Sequence, residues 1–238
     1  MTSTGGLAVI VGAGPGLGLA VGGRFAREGF RLALVARTPA KLDLSGLPGG
    51  SGGSGGSGSA PPVLAAADVS DEAALRAAFA QIRADAGDPD VLVYNASAFI
   101  PGKPTELAYD AFVTGLRIGV AGALVAAQEV APAMRAAGRG TILITGSGVA
   151  LKASAGSAAL AAQKAAVRSL ALTLADELGP DGIHVATVTI RGVLAAGTFF
   201  DPEVVANTYW DLHLEGAGGP DGWRTEVDYA PSPARGKE

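Results

Sequence analysis

Short apolar runs recur along the chain, and they lack the polar alternation that a strand with one wet face carries. Such runs are typical of strands covered on both faces in a parallel sheet. Helical periodicity fills most of the intervals, which predicts one α/β domain on a doubly wound parallel sheet, the Rossmann fold. The predicted strands are 7–12, 31–36, 62–68, 90–95, 141–146 and 183–190, and the predicted helices are 17–28, 71–86, 104–137 with a break, and 155–178.

Two of the predicted helices carry end signals. Ser70 is expected to cap the second helix, and Asp71 and Glu72 would face the positive end of its dipole. Gly179 and Pro180 are expected to end the last helix. Local chemistry therefore predicts these two boundaries.

One connection departs from the alternation. The segment 48–62, PGGSGGSGGSGSAPP, lies where a crossover helix would normally follow the second strand. Glycine and serine at this density predict flexible coil, and either a natural low-complexity insertion or an engineered linker fits the regular GGS period. We expect a dinucleotide-binding domain over 1–229 and a disordered tail over 230–238.

Composition narrows the classes of partner. The chain has 238 residues, of which 48% are hydrophobic and 17% charged, and its net charge is −4, which predicts no nucleic-acid partner. It has no cysteine and two histidines, His184 and His213, so we expect no metal site. The N-terminus lacks signal-peptide features, and each long apolar segment contains charges, glycine or proline. We therefore expect a cytoplasmic protein with no membrane partner and a small-molecule substrate.

A glycine-rich turn follows the first predicted strand. Gly12, Gly14, Gly16 and Gly18 lie between that strand and a helix opening at Leu17. Glycines in this context allow a pyrophosphate to approach backbone N–H groups at a helix N-terminus. The strand, turn, helix and second strand occur in order, which predicts a dinucleotide site.

The second strand ends at Arg37, where dinucleotide sites often carry an acidic residue for the ribose 2′-hydroxyl. A guanidinium suits a 2′-phosphate through paired hydrogen bonds. The sequence therefore predicts NADP (NADPH) rather than NAD.

These motifs together resemble the short-chain dehydrogenase/reductase family over residues 5–200. The resemblance rests on the glycine spacing with Val11 in place of the usual threonine, on ADV (67–69), on YNAS (94–97) and on TGS (145–147). It implies nicotinamide-cofactor contacts from Gly12, Gly14, Gly16, Leu17, Gly18, Arg37, Asp68, Val69, Asn95, Ala96, Lys164, Gly192 and Val193.

The resemblance also implies a reaction centre with one position changed. In the family, a serine orients the substrate oxygen, a tyrosine thirteen residues later exchanges the proton, and a lysine four residues beyond it lowers the tyrosine pKa and holds the nicotinamide ribose. Ser147 and Lys164 match two of these positions, and Leu160 occupies that of the tyrosine. Leucine has no proton to exchange, and loss of a positioned acid removes about 10²- to 10⁴-fold in rate.

Other family positions also differ. Gly119 aligns with an asparagine that links the lysine to solvent, and Arg191 replaces the proline of a Pro-Gly pair after the sixth strand. Lys152, Tyr209 and His213 are candidate substitute donors, although each is typical of a surface or packing role. The resemblance also suggests that Thr198 reaches the pyrophosphate.

Several functions remain open on this evidence. One is an NADP-dependent oxidoreductase of a carbonyl or alcohol compound with a non-standard proton donor. Another is a non-redox isomerase, cyclase or dehydratase on the same scaffold, and a third is an inactive NADP-binding protein. A redesigned variant of a parent enzyme is also consistent with the GGS repeat. The helices over 104–137 and 155–178 are rich in Ala and Gly, and with the resemblance they predict a homo-oligomer, a dimer or tetramer.

Overall fold

The computed structural model describes residues 5–50 and 60–231. Most of the predicted flexible segment 48–62, and all but the first residues of the predicted tail 230–238, lie outside the described residues. The domain limit 1–229 stays a prediction.

A seven-stranded sheet forms the centre of the domain, in the order β3-β2-β1-β4-β5-β6-β7. Every neighbouring pair of strands is parallel. The doubly wound parallel sheet is therefore confirmed. Its strands are β1 (Leu7–Val11), β2 (Arg31–Ala36), β3 (Val63–Ala66), β4 (Val91–Tyr94), β5 (Gly140–Ser147), β6 (Ile183–Ile190) and β7 (Glu226–Tyr229).

Helices cover both faces of this sheet. One core cluster joins the sheet to α1 and α6, and a second joins it to α2, α4 and α5. The helices are α1 (Leu17–Arg27), α2 (Glu72–Ala86), α3 (Tyr109–Leu116), α4 (Gly122–Ala137), α5 (Ala158–Leu178) and α6 (Pro202–Ala217). Interior β1 and β4 are wholly buried, which explains their unbroken apolar runs.

Some boundaries differ from the sequence expectation. Asp71, not Ser70, caps α2, because its carboxylate accepts the Ala74 N–H at 3.1 Å. Ser70 instead donates its hydroxyl to Asp68 at 2.7 Å. The predicted end of α5 is correct, since Gly179 is its C-cap residue.

The connection from β2 to β3 carries a short 3-10 turn, Pro39–Lys41, in its described part. Leu47 is buried, and Leu42 and Leu44 pack beside it against the α1 side of the core. Apolar side chains therefore cover part of the sheet where a crossover helix would normally lie.

A π turn, Arg117–Ala121, joins α3 to α4 and forms the break predicted in this region. By length and composition the unit Tyr109–Ala137 could cross a membrane, contrary to the sequence expectation. In the fold, however, α4 packs against β4, β5, α2 and α5, as a core helix of a layered domain does.

His213 of α6 lies in an aromatic group beside Phe25 and Phe30, at the edge where β5 begins. Its Nδ1 is 3.0 Å from the Thr141 hydroxyl. Burial lowers the pKa of His213 from 6.5 to about 4; nearby Asp90 opposes the shift and His184 adds to it. The folded protein therefore keeps this imidazole neutral at pH values where the unfolded chain protonates it.

We expect His213 to make the fold sensitive to acid. Its contribution to stability is complete above pH 6.5 and falls as the pH drops towards 4, because only the unfolded chain gains a proton over that interval. In His213→Gln, the decrease in unfolding free energy between pH 7.5 and pH 5 should be smaller by about 2 kcal/mol. Urea unfolding at both pH values measures it, and equal pH dependence in the two proteins would refute it.

Candidate active site

The candidate site lies at the carboxyl ends of the parallel strands. The chain crosses from one half of the sheet to the other between β1 and β4, which lie side by side in the sheet. In open α/β sheets, ligands bind in the crevice outside the strand ends at such a switch point. The glycine turn after β1 and the YNAS motif after β4 both lie at this crevice.

The glycine turn is held tightly at its base. The N–H groups of Gly12 and Ala13 donate to the Val35 carbonyl at 2.9 and 3.1 Å. Gly12 has a φ of +84°, and a Cβ there would stand 2.6 Å from the Ala96 nitrogen. Only glycine therefore allows this turn to lie against the end of β4.

The first helix begins at the outer part of the same turn. Gly16 precedes α1 with a φ of +101°, and a Cβ at Gly14 or Gly16 would meet nothing within 4 Å. A Cβ at Gly18 would come within 2.5 Å of the Gly12 carbonyl oxygen, and Leu17 is buried. The helix N-terminus is therefore open above Gly14 and closely packed at Gly18, as a phosphate cradle requires.

The ends of β2 and β3 bring opposite charges to one side of the crevice. Arg37 is exposed after β2, and Asp68 follows β3. The pKa of Asp68 is lowered chiefly by the backbone N–H and the hydroxyl of Ser70, and the charge of Arg37 adds to the effect. The Arg37 guanidinium remains accessible to an anion.

Several of these groups line one cleft of about 690 Å³. Thr38, Leu42, Phe99 and Ile118 also contribute to its wall. The predicted cofactor residues that line it are Gly12, Gly14, Arg37, Asp68, Val69, Asn95 and Ala96, and those outside its lining are Gly16, Leu17, Gly18, Lys164, Gly192 and Val193.

Hydrogen bonds from Asn95 tie three strand ends together beneath the cleft. Its amide nitrogen donates to the Gly12 carbonyl at 3.1 Å, and its amide oxygen accepts the Thr145 hydroxyl at 3.0 Å. Because Thr145 uses its proton on Asn95, the Tyr209 hydroxyl donates to Thr145, at 2.8 Å. The floor of the cleft is thus linked to α6 by buried polar contacts.

The predicted reaction centre lies between β5 and α5. Ser147 ends β5, and its hydroxyl has only a long 3.5 Å contact with the Val149 N–H. Lys164 is 6% exposed and donates its Nζ to the Thr145 carbonyl at 2.7 Å. Burial lowers the pKa of Lys164 to about 8. Leu160 lies one helical turn before the lysine, half-buried on the same face of α5.

Gln163 is a buried polar residue that the sequence interpretation missed. Its amide nitrogen donates to the Ala98 and Ala159 carbonyls at 2.9 and 3.2 Å, and its oxygen accepts the Ala98 N–H at 3.1 Å. A Cβ at Gly119 would stand 2.7 Å from this side-chain oxygen. Gln163 therefore fills the space beside Gly119. The signal that could have found it is a lone amide on the apolar side of an Ala-rich helix.

Tyr94 stabilises the π turn behind the cleft. Its hydroxyl donates to the Ile118 carbonyl inside that turn. Gly122 makes room for it, because a Cβ there would come within 2.3 Å of the tyrosine oxygen. A π turn leaves backbone groups without their usual α-helical partners, so this contact replaces one of the lost hydrogen bonds.

Two of the three candidate substitute donors are not arranged for proton transfer at Ser147. Tyr209 is 0% exposed, and burial raises its pKa. His213 contacts Thr141 at the opposite end of β5, about 20 Å along the strand from Ser147. Lys152 is exposed to solvent in the loop after Ser147. Tyr209 and His213 are therefore excluded as direct donors, because one is sealed and the other distant.

The segment after β6 folds back on itself before α6. Val193 is 84% exposed, and a Cβ at Gly192 would meet the Phe200 ring at 2.2 Å. The Thr198 hydroxyl donates to the Ala195 carbonyl at 2.7 Å, so in this conformation it stabilises the turn that contains it. Contacts of Gly192, Val193 and Thr198 with a cofactor stay predictions.

The described residues fit a phosphorylated dinucleotide. The turn at Gly12 excludes a side chain, the N-terminus of α1 above Gly14 is open, and Arg37 adds a cation at the wall. Backbone N–H groups and a guanidinium are the groups that bind phosphate in proteins. The cleft thus has groups that can bind the phosphates of a nicotinamide dinucleotide.

Proteins of known sequence and structure resemble this chain over most of its length. The (2S)-[(R)-hydroxy(phenyl)methyl]succinyl-CoA dehydrogenase subunit BbsC of Thauera aromatica is 33% identical over 194 residues, covering 80% of this chain and 74% of the relative. D-Threitol dehydrogenase of Mycolicibacterium smegmatis is 30% identical over 189 residues, covering 79% of this chain and 70% of the relative.

Solved structures agree with the fold. A short-chain dehydrogenase/reductase from Serratia marcescens superposes with a TM-score of 0.75 at 29% identity, covering 94% of this chain and 96% of the other. A metagenomic short-chain oxidoreductase solved in complex with NADP gives a TM-score of 0.79 at 25% identity, covering 95% and 97%. The family model described as short chain dehydrogenase matches residues 6–199. The chain therefore belongs to the short-chain dehydrogenase/reductase family.

Proposed function

We propose that this protein is an NADP-dependent oxidoreductase of a small carbonyl or alcohol compound, in which a group other than the family tyrosine deals with the proton. The observation that carries the proposal is the single cleft at the switch point, which combines the glycine turn with Arg37. The NADP-bound relative supports a phosphorylated cofactor. Ser147 and Lys164 are retained at the family spacing, and Lys164 is bonded to Thr145, whose hydroxyl donates to Asn95 of the cleft.

Each retained residue has a defined task in this proposal. A bound reduced nicotinamide supplies a hydride to the substrate. The Lys164 ammonium uses one N–H group on the Thr145 carbonyl, and it holds the nicotinamide ribose with the remaining N–H groups. Ser147 donates its hydroxyl to the substrate oxygen, since its own contact with Val149 is long. Leu160 contributes an apolar surface where the family has an acid.

Leu160 also favours a second candidate, a non-redox isomerase, cyclase or dehydratase. Ser147 and Lys164 would then polarise a substrate oxygen without net hydride transfer, so the missing acid would not matter. Turnover that continues with trace NADP supports this candidate, whereas turnover that consumes NADPH one-for-one supports the oxidoreductase.

We also propose that the protein is a homo-oligomer and that it acts in the cytoplasm. Small side chains of α5 line a shallow apolar groove on its outer face, which would let a helix of another subunit approach closely. The residues are Ala158, Ala161, Ala162 and Ala165.

The Arg37 prediction concerns cofactor choice. Arg37→Ser should raise the Kd for NADPH by about 10- to 100-fold while changing the Kd for NADH by less than about threefold, because only the 2′-phosphate loses a charge-assisted partner. Fluorescence titration measures both constants. Exposed Arg139, changed to serine, is the control. Equal loss of both cofactors in Arg37→Ser would contradict the role.

The Leu160 prediction restores the absent acid. Leu160→Tyr should raise kcat/KM for ketone reduction by about 10²-fold or more, because Lys164 lies one turn away to lower the phenol pKa. Leu160→Phe adds the same ring without the proton and should give no such gain. NADPH consumption over a ketone panel measures the effect, and equal rates in the two variants would show that the leucine is not at the acid position.

The oligomer prediction concerns the outer face of α5. Ala165→Glu should shift the protein towards monomer, since a buried carboxylate without a partner destabilises an interface. Ala84→Glu on exposed α2 is the matched control and should leave the mass unchanged. Size-exclusion chromatography with light scattering measures the mass. A monomeric parent protein would refute the prediction.

A further inference from the structure

The family acid position and two of the three candidate substitutes supply no proton at the reaction centre, and the third, Lys152, is an exposed loop residue. Leu160 has no proton to give, and the Tyr209 hydroxyl is sealed beneath the sheet on Thr145. His213 lies at the opposite end of β5. Lys164 remains, and its Nζ points to the Thr145 carbonyl, within the strand. A neutral ketone that accepts a hydride becomes an alkoxide, so its reduction at this centre lacks a well-placed proton source.

One class of carbonyl-derived compound needs no such source. An iminium ion, formed from a carbonyl and an amine, already carries its positive charge on nitrogen before it binds. When it accepts a hydride, the electron pair of the cofactor's C4–H bond becomes the electron pair of the new C–H bond. The C=N π pair becomes the nitrogen lone pair, the nicotinamide is oxidised, and no proton moves.

We propose that the substrate of this site is an iminium ion, a protonated or N-alkylated cyclic imine, which is reduced to the amine with no acid from the protein. The inference rests on the proposed NADP-dependent hydride transfer, and it replaces the carbonyl substrate with the iminium ion derived from that carbonyl. It also accounts for Leu160. An apolar side chain can pack against the carbon atoms of the iminium ring, and it leaves no hydrogen-bonding group of the protein without a partner.

The wall of the cleft also suits a cation. Phe99 is 66% exposed and lines the cleft beside Ala98, and Ile118 adds apolar surface nearby. The face of an aromatic ring attracts a cation that has left water. Lys164, whose pKa burial lowers to about 8, is largely protonated at pH 7, but its Nζ is bonded to the Thr145 carbonyl and it does not line the cleft.

The kinetic test uses three matched probes: a cyclic imine, its N-methyl iminium salt and the cyclic ketone of the same ring size, in a panel of five- and six-membered rings. Either nitrogen compound should exceed its ketone in kcat/KM by about 100-fold or more. Below the Lys164 pKa of about 8, from pH 6 to pH 7, the N-methyl salt should react at an equal rate, because nothing in its reduction takes up a proton. A ketone reduced as fast as its iminium would overturn the inference, as would a panel in which no iminium reacts although NADPH binds.

The variants at Leu160 sharpen this test. Leu160→Tyr should lower the iminium-to-ketone ratio of kcat/KM by about 100-fold, because the phenol supplies the proton that only the ketone needs. Leu160→Phe should keep the ratio within about threefold of the parent value. An unchanged ratio in Leu160→Tyr, at intact NADPH affinity, counts against the inference.

A binding measurement provides a readout without turnover. Calorimetry with the unreactive tetrahydro form of NADPH bound should give the N-methyl iminium a Kd at least about tenfold below that of the ketone. Phe99→Leu should weaken binding of the cation by about two- to fivefold, and Phe199→Leu, outside the cleft lining, should not. No preference for the cation overturns the inference. Failure of NADPH to bind at all instead refutes the proposed function.

Discussion

The amide of Asn95 is the contact on which the cleft depends. It joins the Gly12 carbonyl to the Thr145 hydroxyl and so connects the ends of β1, β4 and β5. The Thr145 carbonyl also accepts a hydrogen bond from Lys164, and the Thr145 hydroxyl accepts one from Tyr209 of α6. One buried hydrogen-bond network therefore connects the glycine turn, Lys164 and α6. Such a network is rigid only while every member is satisfied, and the described residues leave no buried side-chain polar atom without a partner.

The two positions that the resemblance predicts to be vacant, Gly119 and Leu160, differ in their surroundings. At Gly119 the missing side chain is replaced by another, because Gln163 occupies the space and ties α5 to the segment after β4. At Leu160 the missing group is chemical, and the neighbouring residues provide no acid in its place. The packing beside Gly119 is therefore complete, whereas a proton source at Leu160 stays a matter for the proposed reaction.

Local signals predicted most of the fold. Unbroken apolar runs identified the interior strands, and glycines with a helix after them identified the cofactor turn, because both patterns arise from neighbouring residues. Strand β7 was missed because Glu226 and Asp228 alternate with Val227 and Tyr229 in a short, half-buried edge strand. Gln163 was missed, and the hydrogen bond of buried Tyr209 could not be predicted, because their partners, Ala98 and Thr145, lie far away in the chain. No local sequence pattern indicates such long-range contacts. For the same reason the conformation of the exposed segment around Val193 could not be predicted.

The π turn between α3 and α4 has a consequence for how the protein can change over evolution. One added residue rotates the following helix by about 100° relative to the preceding one. As a result α3 faces α5, whereas α4 faces the sheet and α2. The two parts of this long helical unit therefore pack against different neighbours, and substitutions in α3 can alter its contact with α5 while the sheet-facing stripe of α4 stays intact. A single-residue deletion within the turn would remove this independence by forcing both parts into one phase.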